Sequence, residues 1–257
     1  MWQEKLARIE QGKLRAAFFE NGEWRVNREV KEAIIAAFRA GKLISYAESQ
    51  SFSFIDKDSQ PPRKFGLESG LRIVPGGSSV RSGAYVAPSV VIMPPSYVNV
   101  GAYIDSGSLV DSHVLVGSCA QIGKNVHLSA GVQIGGVLEP VGERPVIIED
   151  DCFIGAGSVI VEGVLIKKGA VLAPGVVLSR SVPVYDCIKE RRLEISEPIP
   201  ENAVLVPGSR PLSSGLNWAA EHGLMLQCAI IIKYRDEKTS AALALETLLR
   251  SGDSNGN

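Results

Sequence analysis

Asp111 in the run LVDSH is a carboxylate followed two residues later by an imidazole, His113. In a regular extended segment, side chains at that spacing share a face. A carboxylate and an imidazole on one face can accept hydrogen bonds and take up a proton. The competing reading gives Asp111 to the backbone, as a corner residue whose oxygens accept from nearby amides, and leaves His113 as a solvated imidazole. Arg72 in GLRIVP is suited to a bidentate grip on a carboxylate; the plainer alternative is a surface ion pair. His127 in KNVHLS reads as a packed or hydrogen-bonded ring, and His222 in AEHGL has no nameable partner. Three scattered histidines do not make a metal site.

What holds these groups is a six-residue beat. Stepping by six from Val74 gives Val80, Val86, Ile92, Val98, Ile104, Val110, Val116, Ile122, Leu128 and Ile134, with Val74 itself eleven aliphatic residues in succession. At a one-in-three aliphatic frequency such a run has odds on the order of 10⁻⁵, so it needs a structural cause. The phase breaks across GGVLEPVGERPV and resumes at Ile148, Ile154, Ile160, Ile166, Leu172 and Leu178. Neither a helix of period 3.6 nor a half-buried strand of period 2 demands this spacing. A solenoid of hexapeptides does: three segments close one triangular coil and each beat points into the prism. Small and turn-forming residues fill the corners between beats. About six coils are expected, roughly 29 Å at the usual strand spacing. Asp111 follows one beat directly, and His113 sits two residues further on.

The fold class expected is therefore mainly β: a left-handed parallel β-helix of hexapeptide repeats, with a small N-terminal α+β cap and a C-terminal strand-helix extension. Residues 1–69 form the N-terminal unit, with a short polar helix over 1–13 and a hairpin centred on Asn21-Gly22. A helix follows over NREVKEAIIAAFRAGK, with Asn27 as N-cap and Gly41 as its stop. An irregular linker completes the unit from residue 42. The β-helix occupies 70–183, with an insertion near 135–146 expected to form a loop over a binding groove. The extension spans 184–250, including a strand over LMLQCAIIIKYR and an amphipathic helix over DEKTSAALALETLLR. Residues 251–257 read as a disordered tail.

Composition narrows the class. Charge is balanced, with 27 basic against 28 acidic residues and a net of −1, which gives no support for nucleic-acid or polybasic membrane binding. No run of about 18 apolar residues is present, and the charged opening MWQEKLARIEQGK does not read as a signal peptide. Cys119, Cys152, Cys187 and Cys228 lie far apart, with no CxxC pair. They read as reduced thiols of a soluble, cytoplasmic protein rather than a zinc site or disulfide framework.

The run MPPSYVNVGAYIDSGSLVDSHVLVGSCAQIGKNVHLSAGVQIGGVLEP, continued by IIEDDCFIGAGSVIVEG, resembles the tetrahydrodipicolinate N-succinyltransferases of lysine and diaminopimelate biosynthesis. The likeness extends to GLRIVP, GEWRVNREVKEAIIAAFR and CAIIIKYRDEKT, and covers residues from about 14 to 250. The N-terminal helical region is shorter than in that family. The resemblance implies an enzyme, a homotrimer with its sites between subunits, and succinyl-CoA as co-substrate. It implies as acceptor the amino-keto form of tetrahydrodipicolinate, and no permanently bound cofactor. It places a substrate-binding arginine on Arg72 and the catalytic, substrate-orienting aspartate on Asp111. Lys167, Lys168 and Arg180 are candidates for the CoA phosphates, against the alternative of a solvated basic corner.

One departure stands out. Where the family carries a glutamate that works opposite the aspartate, this chain has Val159, and Gly157 replaces an arginine two residues earlier. Glu162 matches a different family position. His113 stands where tryptophan is common and Ala130 where glycine is. Valine cannot accept a proton, which leaves His113 as a candidate substitute base. Three functions stay open on these residues: the family's succinyl transfer, acylation of another amine or from another acyl-CoA, and a trimeric scaffold that has lost the reaction.

Overall fold

The computed structural model describes residues 1–49, 52–212 and 216–236. The N-terminal unit contains α1 (Trp2–Glu10), a hairpin of β1 (Ala17–Glu20) and β2 (Glu23–Val26), and α2 (Arg28–Ala40). Asn21 and Gly22 both take positive φ, 53° and 84°, the backbone a two-residue hairpin turn requires. Asn27 precedes α2 in an extended conformation, but its side chain makes no capping bond. Gly41 ends the helix at φ −71°, not in the left-handed region. Its lack of a side chain serves close approach, because a Cβ there would collide with Ser59, whose Oγ donates to Ala37 O at 2.7 Å.

The stretch after α2 corrects the expected irregular linker. Leu43–Ser49 (β3) and Phe52–Lys57 (β4) form an antiparallel hairpin. The Ile, Tyr and Phe residues of the two strands favour extended backbone, but Leu43, Ile44, Phe54 and Ile55 are exposed, so no buried apolar periodicity marks the segment in the sequence.

From β5 (Arg72–Ile73) to β21 (Val177–Leu178) the described chain runs through seventeen two-residue strands, all paired parallel. They stack into three faces of six, six and five strands, the prism of a left-handed parallel β-helix. In each strand the second residue turns inward, and the beat from Val80 to Leu178 is almost wholly buried. The first anchor differs: Ile73, not Val74, pairs with Ile92. PGGS makes that first step seven residues long, so the backward extrapolation of the beat lands one residue late. The 14-residue interruption holds no strand among the described residues; it is one enlarged corner, and Gln121–Ile122 pairs directly with Ile147–Ile148 across it.

Outward residues define the faces. Face one carries Arg72, Val91, Leu109, His127, Phe153 and Val171. Face two carries Ser79, Tyr97, Leu115, Gln133, Val159 and Val177. Face three carries Tyr85, Tyr103, Gln121, Ile147 and Leu165. The N-terminal unit covers face three and the edge between faces two and three. Trp24 and Ala17 pack on Ile147 and Leu165, while Leu6, Ile9, Val30 and Ile34 pack with the corner residues Val100 and Cys119.

The far end is closed by β22 (Val184–Asp186), β23 (Arg191–Arg192), β24 (Ala203–Pro211), α3 (Asn217–Glu221) and β25 (Met225–Tyr234). Val204 and Leu205 extend face one beyond Leu172, and Ile199 bridges to Ile166 to extend face three. Tyr234 Oη donates to the buried Asp186 Oδ2 at 2.7 Å, tying the last strand to the cap. The expected helix at 236–250 and the tail at 251–257 lie outside the described residues, apart from Asp236.

Candidate active site

Asp111 leaves face one and begins the corner to face two. Its amide donates to Leu128 O at 2.9 Å, and its carbonyl accepts from Ser96 Oγ at 2.7 Å. Ser96, itself buried, also accepts from Val114 N–H at 3.2 Å, so one hydroxyl fixes both ends of the corner. Asp111 Oδ1 accepts from Ser112 N–H at 2.7 Å. Asn99 and Asp105 make the same bond to their own following amides at 2.8 Å each, which marks it as a device of the coil. The backbone therefore uses one carboxylate oxygen. The other has no partner among the described residues, and it lies on an edge whose His113, Ala130, Ala156 and Gly157 are exposed.

His113 occupies the turn itself, at φ +61°. The premise of an extended segment fails there, so two-residue spacing does not put its ring on the side of Asp111. No hydrogen bond joins the two side chains, and the His113 carbonyl instead accepts from Gln133 Nε2 at 3.1 Å. Arg72 is exposed at the start of face one, two strands before Leu109, a separation of roughly 9.6 Å along the stack. Val159 stands half-buried on face two between Gln133 and Val177. Among the described residues no carboxylate takes its place. Glu162 sits on the edge between faces two and three, where its Oε2 accepts from Arg180 N–H at 2.9 Å.

The three basic candidates do not converge. Lys167 and Lys168 lie exposed on the edge between faces three and one, with Lys168 Nζ 3.5 Å from Asp151. Arg180 lies on the edge between faces two and three, and its guanidinium pairs with Glu143 of the insertion. That insertion folds back onto the N-terminal unit: buried Lys31 of α2 donates to Glu143 O at 2.5 Å, and Arg144 Nε donates to Gly163 O at 2.9 Å. Within one chain it does not cover the Asp111 edge.

The corners below Asp111 are a feature the sequence reading passed over. The Ala130 and Ala156 N–H groups donate no hydrogen bond among the described residues, although both carbonyls accept one, and Gly157 has open space where a Cβ would be. Unengaged amides in a column of small residues suit an extended polar chain laid along the edge. The signal available in the sequence was the pair of small-residue triplets Ser129-Ala130-Gly131 and Gly155-Ala156-Gly157, each directly after an apolar beat.

The remaining candidates are accounted for locally. His127 packs edge-on against Phe153, with ring centroids 4.7 Å apart. His222 stacks on Trp218 at 4.1 Å, and its Nδ1 lies 2.7 Å from Trp218 O. Cys119, Cys152 and Cys228 are buried and Cys187 is exposed. Burial pushes the Cys119 and Cys152 thiols up to about 12. No cluster of metal-ligating side chains occurs among the described residues, and none of their helices is long and apolar enough to cross a membrane.

A hexapeptide prism with an unspent carboxylate beside an open edge of corner amides has the architecture of the hexapeptide-repeat transferases. Residues 145–180 match the family model described as the hexapeptide repeat of succinyl-transferase. Residues 2–40 match that of the tetrahydrodipicolinate N-succinyltransferase N-terminal region. Among curated relatives, the 2,3,4,5-tetrahydropyridine-2,6-dicarboxylate N-succinyltransferase of Coxiella burnetii (strain Dugway 5J108-111) is 46% identical over 253 residues, 95% of this chain and 86% of the relative. The enzyme of the same name from Nitrosococcus oceani is 44% identical over 256 residues, 97% of this chain and 88% of its own. The chain belongs to the tetrahydrodipicolinate N-succinyltransferase family. A solved structure of a putative 2,3,4,5-tetrahydropyridine-2-carboxylate N-succinyltransferase from Campylobacter jejuni shares the fold, with a TM-score of 0.54 at 18% identity. The match covers 90% of this chain and 62% of that one.

Proposed function

We propose that this chain transfers the succinyl group of succinyl-CoA to the amine of tetrahydrodipicolinate in diaminopimelate and lysine biosynthesis. The observation that carries the reading beyond family membership is the division of labour at Asp111: Oδ1 holds the corner, and the second oxygen is available on an open edge. In the proposed reaction Arg72 grips a carboxylate of the acceptor, and Asp111 accepts a hydrogen bond from its amine. The nitrogen attacks the thioester carbonyl, the N–C bond forms and the C–S bond breaks. The amine proton passes by way of Asp111, and CoA leaves as its thiol. Ala130 and Ala156 supply backbone donors to the CoA chain along the same edge. Lys167 and Lys168 meet CoA phosphates only if the nucleotide reaches their separate edge. In the proposed reaction His113, which sits in a turn and makes no hydrogen bond to Asp111, takes no part in the proton transfer.

The working assembly is a homotrimer in the cytoplasm. Faces one and two present columns of half-buried apolar side chains that the described parts of the chain leave uncovered, including Val91, Leu109 and Phe153 on one and Leu115, Val159 and Val177 on the other. A heterologous contact of face one with face two closes a three-fold ring. Sedimentation is expected to give three times the 27.5 kDa chain mass, and a monomer would remove this part of the proposal.

The testing experiment is CoA release from succinyl-CoA in the presence of tetrahydrodipicolinate or L-2-aminopimelate. Turnover that needs the acceptor and collapses in Asp111→Asn supports the reading; no turnover with either acceptor overturns it. Val159 favours a second reading, a paralogue acting on a different amine or acyl-CoA, since an apolar residue replaces a carboxylate beside the amine. A panel of acyl-CoAs and amino acids separates the two readings. Silence across the panel leaves the binding-scaffold reading.

A further inference from the structure

We propose that the cleft between the β1–β2 hairpin and face three is a second small-molecule site, one that takes the zwitterionic head and short side chain of an α-amino acid. The cleft measures about 280 Å³ and opens on the edge between faces three and one, away from the Asp111 edge. Its organising residue is Arg15. The guanidinium lies over the Tyr103 ring at 3.7 Å, and Nε donates to Gln121 Oε1 at 2.9 Å. These contacts fix the plane of the group. Its terminal nitrogens form no hydrogen bond or ion pair among the described residues. Burial pulls the guanidinium below its ordinary value, while Tyr103, Asp105 and Asp150 act in the opposite sense. Both aspartates thus stand near the cation without pairing to it.

Those aspartates are also only half used. Asp105 Oδ1 accepts from Ser106 N–H at 2.8 Å, and Asp150 Oδ1 accepts from Lys124 N–H at 2.8 Å. Among the described residues, Asp105 Oδ2 receives only the Tyr103 hydroxyl at 3.5 Å, and Asp150 Oδ2 has no partner. Trp24, its indole N–H held by Glu149 Oε1 at 2.8 Å, forms a rigid apolar wall. The charge arrangement selects the ligand. Lys168 and Glu149 also line the cleft, but Lys168 pairs with Asp151 at 3.5 Å and Glu149 receives the Trp24 indole and the Lys168 amide, which leaves Arg15 and the two aspartates to act on a ligand. A phosphate meets those two carboxylates, and a metal cation meets the guanidinium. A zwitterion satisfies both, with its carboxylate on Arg15 and its ammonium on the aspartates. The volume lies below the usual range for small-molecule pockets and suits a side chain of a few carbons.

The test is calorimetric titration of the full chain with L-alanine, L-leucine and L-lysine. Two truncated probes are added: 3-methylbutylamine, which lacks the carboxylate of leucine, and 4-methylpentanoate, which lacks its ammonium. Saturable binding of at least one amino acid is expected, with each truncated probe tenfold or more weaker than leucine if leucine binds. Arg15→Gln and Asp150→Asn should each weaken the amino acid at least tenfold. Arg15 also braces the hairpin, so Asp150→Asn is decisive: it keeps the oxygen that receives Lys124 N–H and removes only the charge. Flat titrations with all three amino acids, or undiminished affinity in Asp150→Asn, overturn the proposal. The readout is binding, so the outcome is independent of whether succinyl transfer occurs.

Discussion

In the proposed reaction one side chain, Asp111, serves fold and chemistry together. Replacement by asparagine preserves an Oδ1 that accepts from Ser112 N–H, so the corner survives and only the charge is lost. Asp111→Asn is therefore expected to melt within a degree or two of the parent while kcat falls by roughly 10²–10⁴, the range for losing a positioned proton acceptor. Thermal melts and CoA-release kinetics on the same samples check both halves. Val159→Glu is the complementary change. Its side chain points away from the prism between Gln133 and Val177, so a carboxylate there need not enter the core. If the native acceptor is tetrahydrodipicolinate, the variant should raise its turnover. No gain, together with turnover of a different amine by the parent, would point to a changed acceptor. At this scale the sequence was partly legible. Asp111 stood out as a charge directly after an apolar beat, whereas the turn conformation of His113 did not, because φ +61° at a non-glycine residue leaves no mark in a spacing pattern.

Each anchor of the coil is held by neighbours one coil above and one below, so the cost of losing one depends on how far the stack relaxes. Ile122, wholly buried between Ile104 and Ile148, is a stringent case. Ile122→Ala is expected to cost about 2–5 kcal/mol, read as a lower denaturant midpoint with an unchanged slope. The solenoid was the most readable element, since a period of six repeated along the chain records a constraint that every coil imposes anew. The hairpin Leu43–Ser49 with Phe52–Lys57 was not readable in the same way. It occurs once, and its serines and charged residues read in sequence as a loop. The insertion was legible as a break in the beat, whereas its course in space was not. Its direction is set by Lys31 and Arg180, contacts from residues more than thirty positions away.

The whole molecule carries a titration that no single element reveals. Cys152, sealed in the prism with its Sγ 3.2 Å from Lys167 O, has its thiol pushed up to about 12 by burial. The unfolded chain loses that proton near the ordinary thiol value, below the folded one. Stability from this group is thus fully present below the unfolded pKa and lost as pH rises towards about 12. Across that window Cys152→Ala should flatten the fall in unfolding free energy by up to about 1.4 kcal/mol per pH unit, measured by denaturant melts at successive pH values. Faces one and two make the corresponding prediction for assembly, since their apolar columns have no cover within the described chain.

By itself, the sequence determined the coil, its approximate number of turns, the family and the position of the aspartate. All of these follow from local periodicity and from long runs of matching residues. The tertiary structure alone decided which corners share an edge. Residues eighteen apart meet on one edge, while residues six apart are sent to different ones, so Arg180, Lys167 and Asp111 occupy three separate edges of the prism. It also decided that the N-terminal unit covers face three and creates the Arg15 cleft. The physical reason is that the triangular coil converts a one-dimensional repeat into three directions, and which direction meets solvent depends on what packs against the other two.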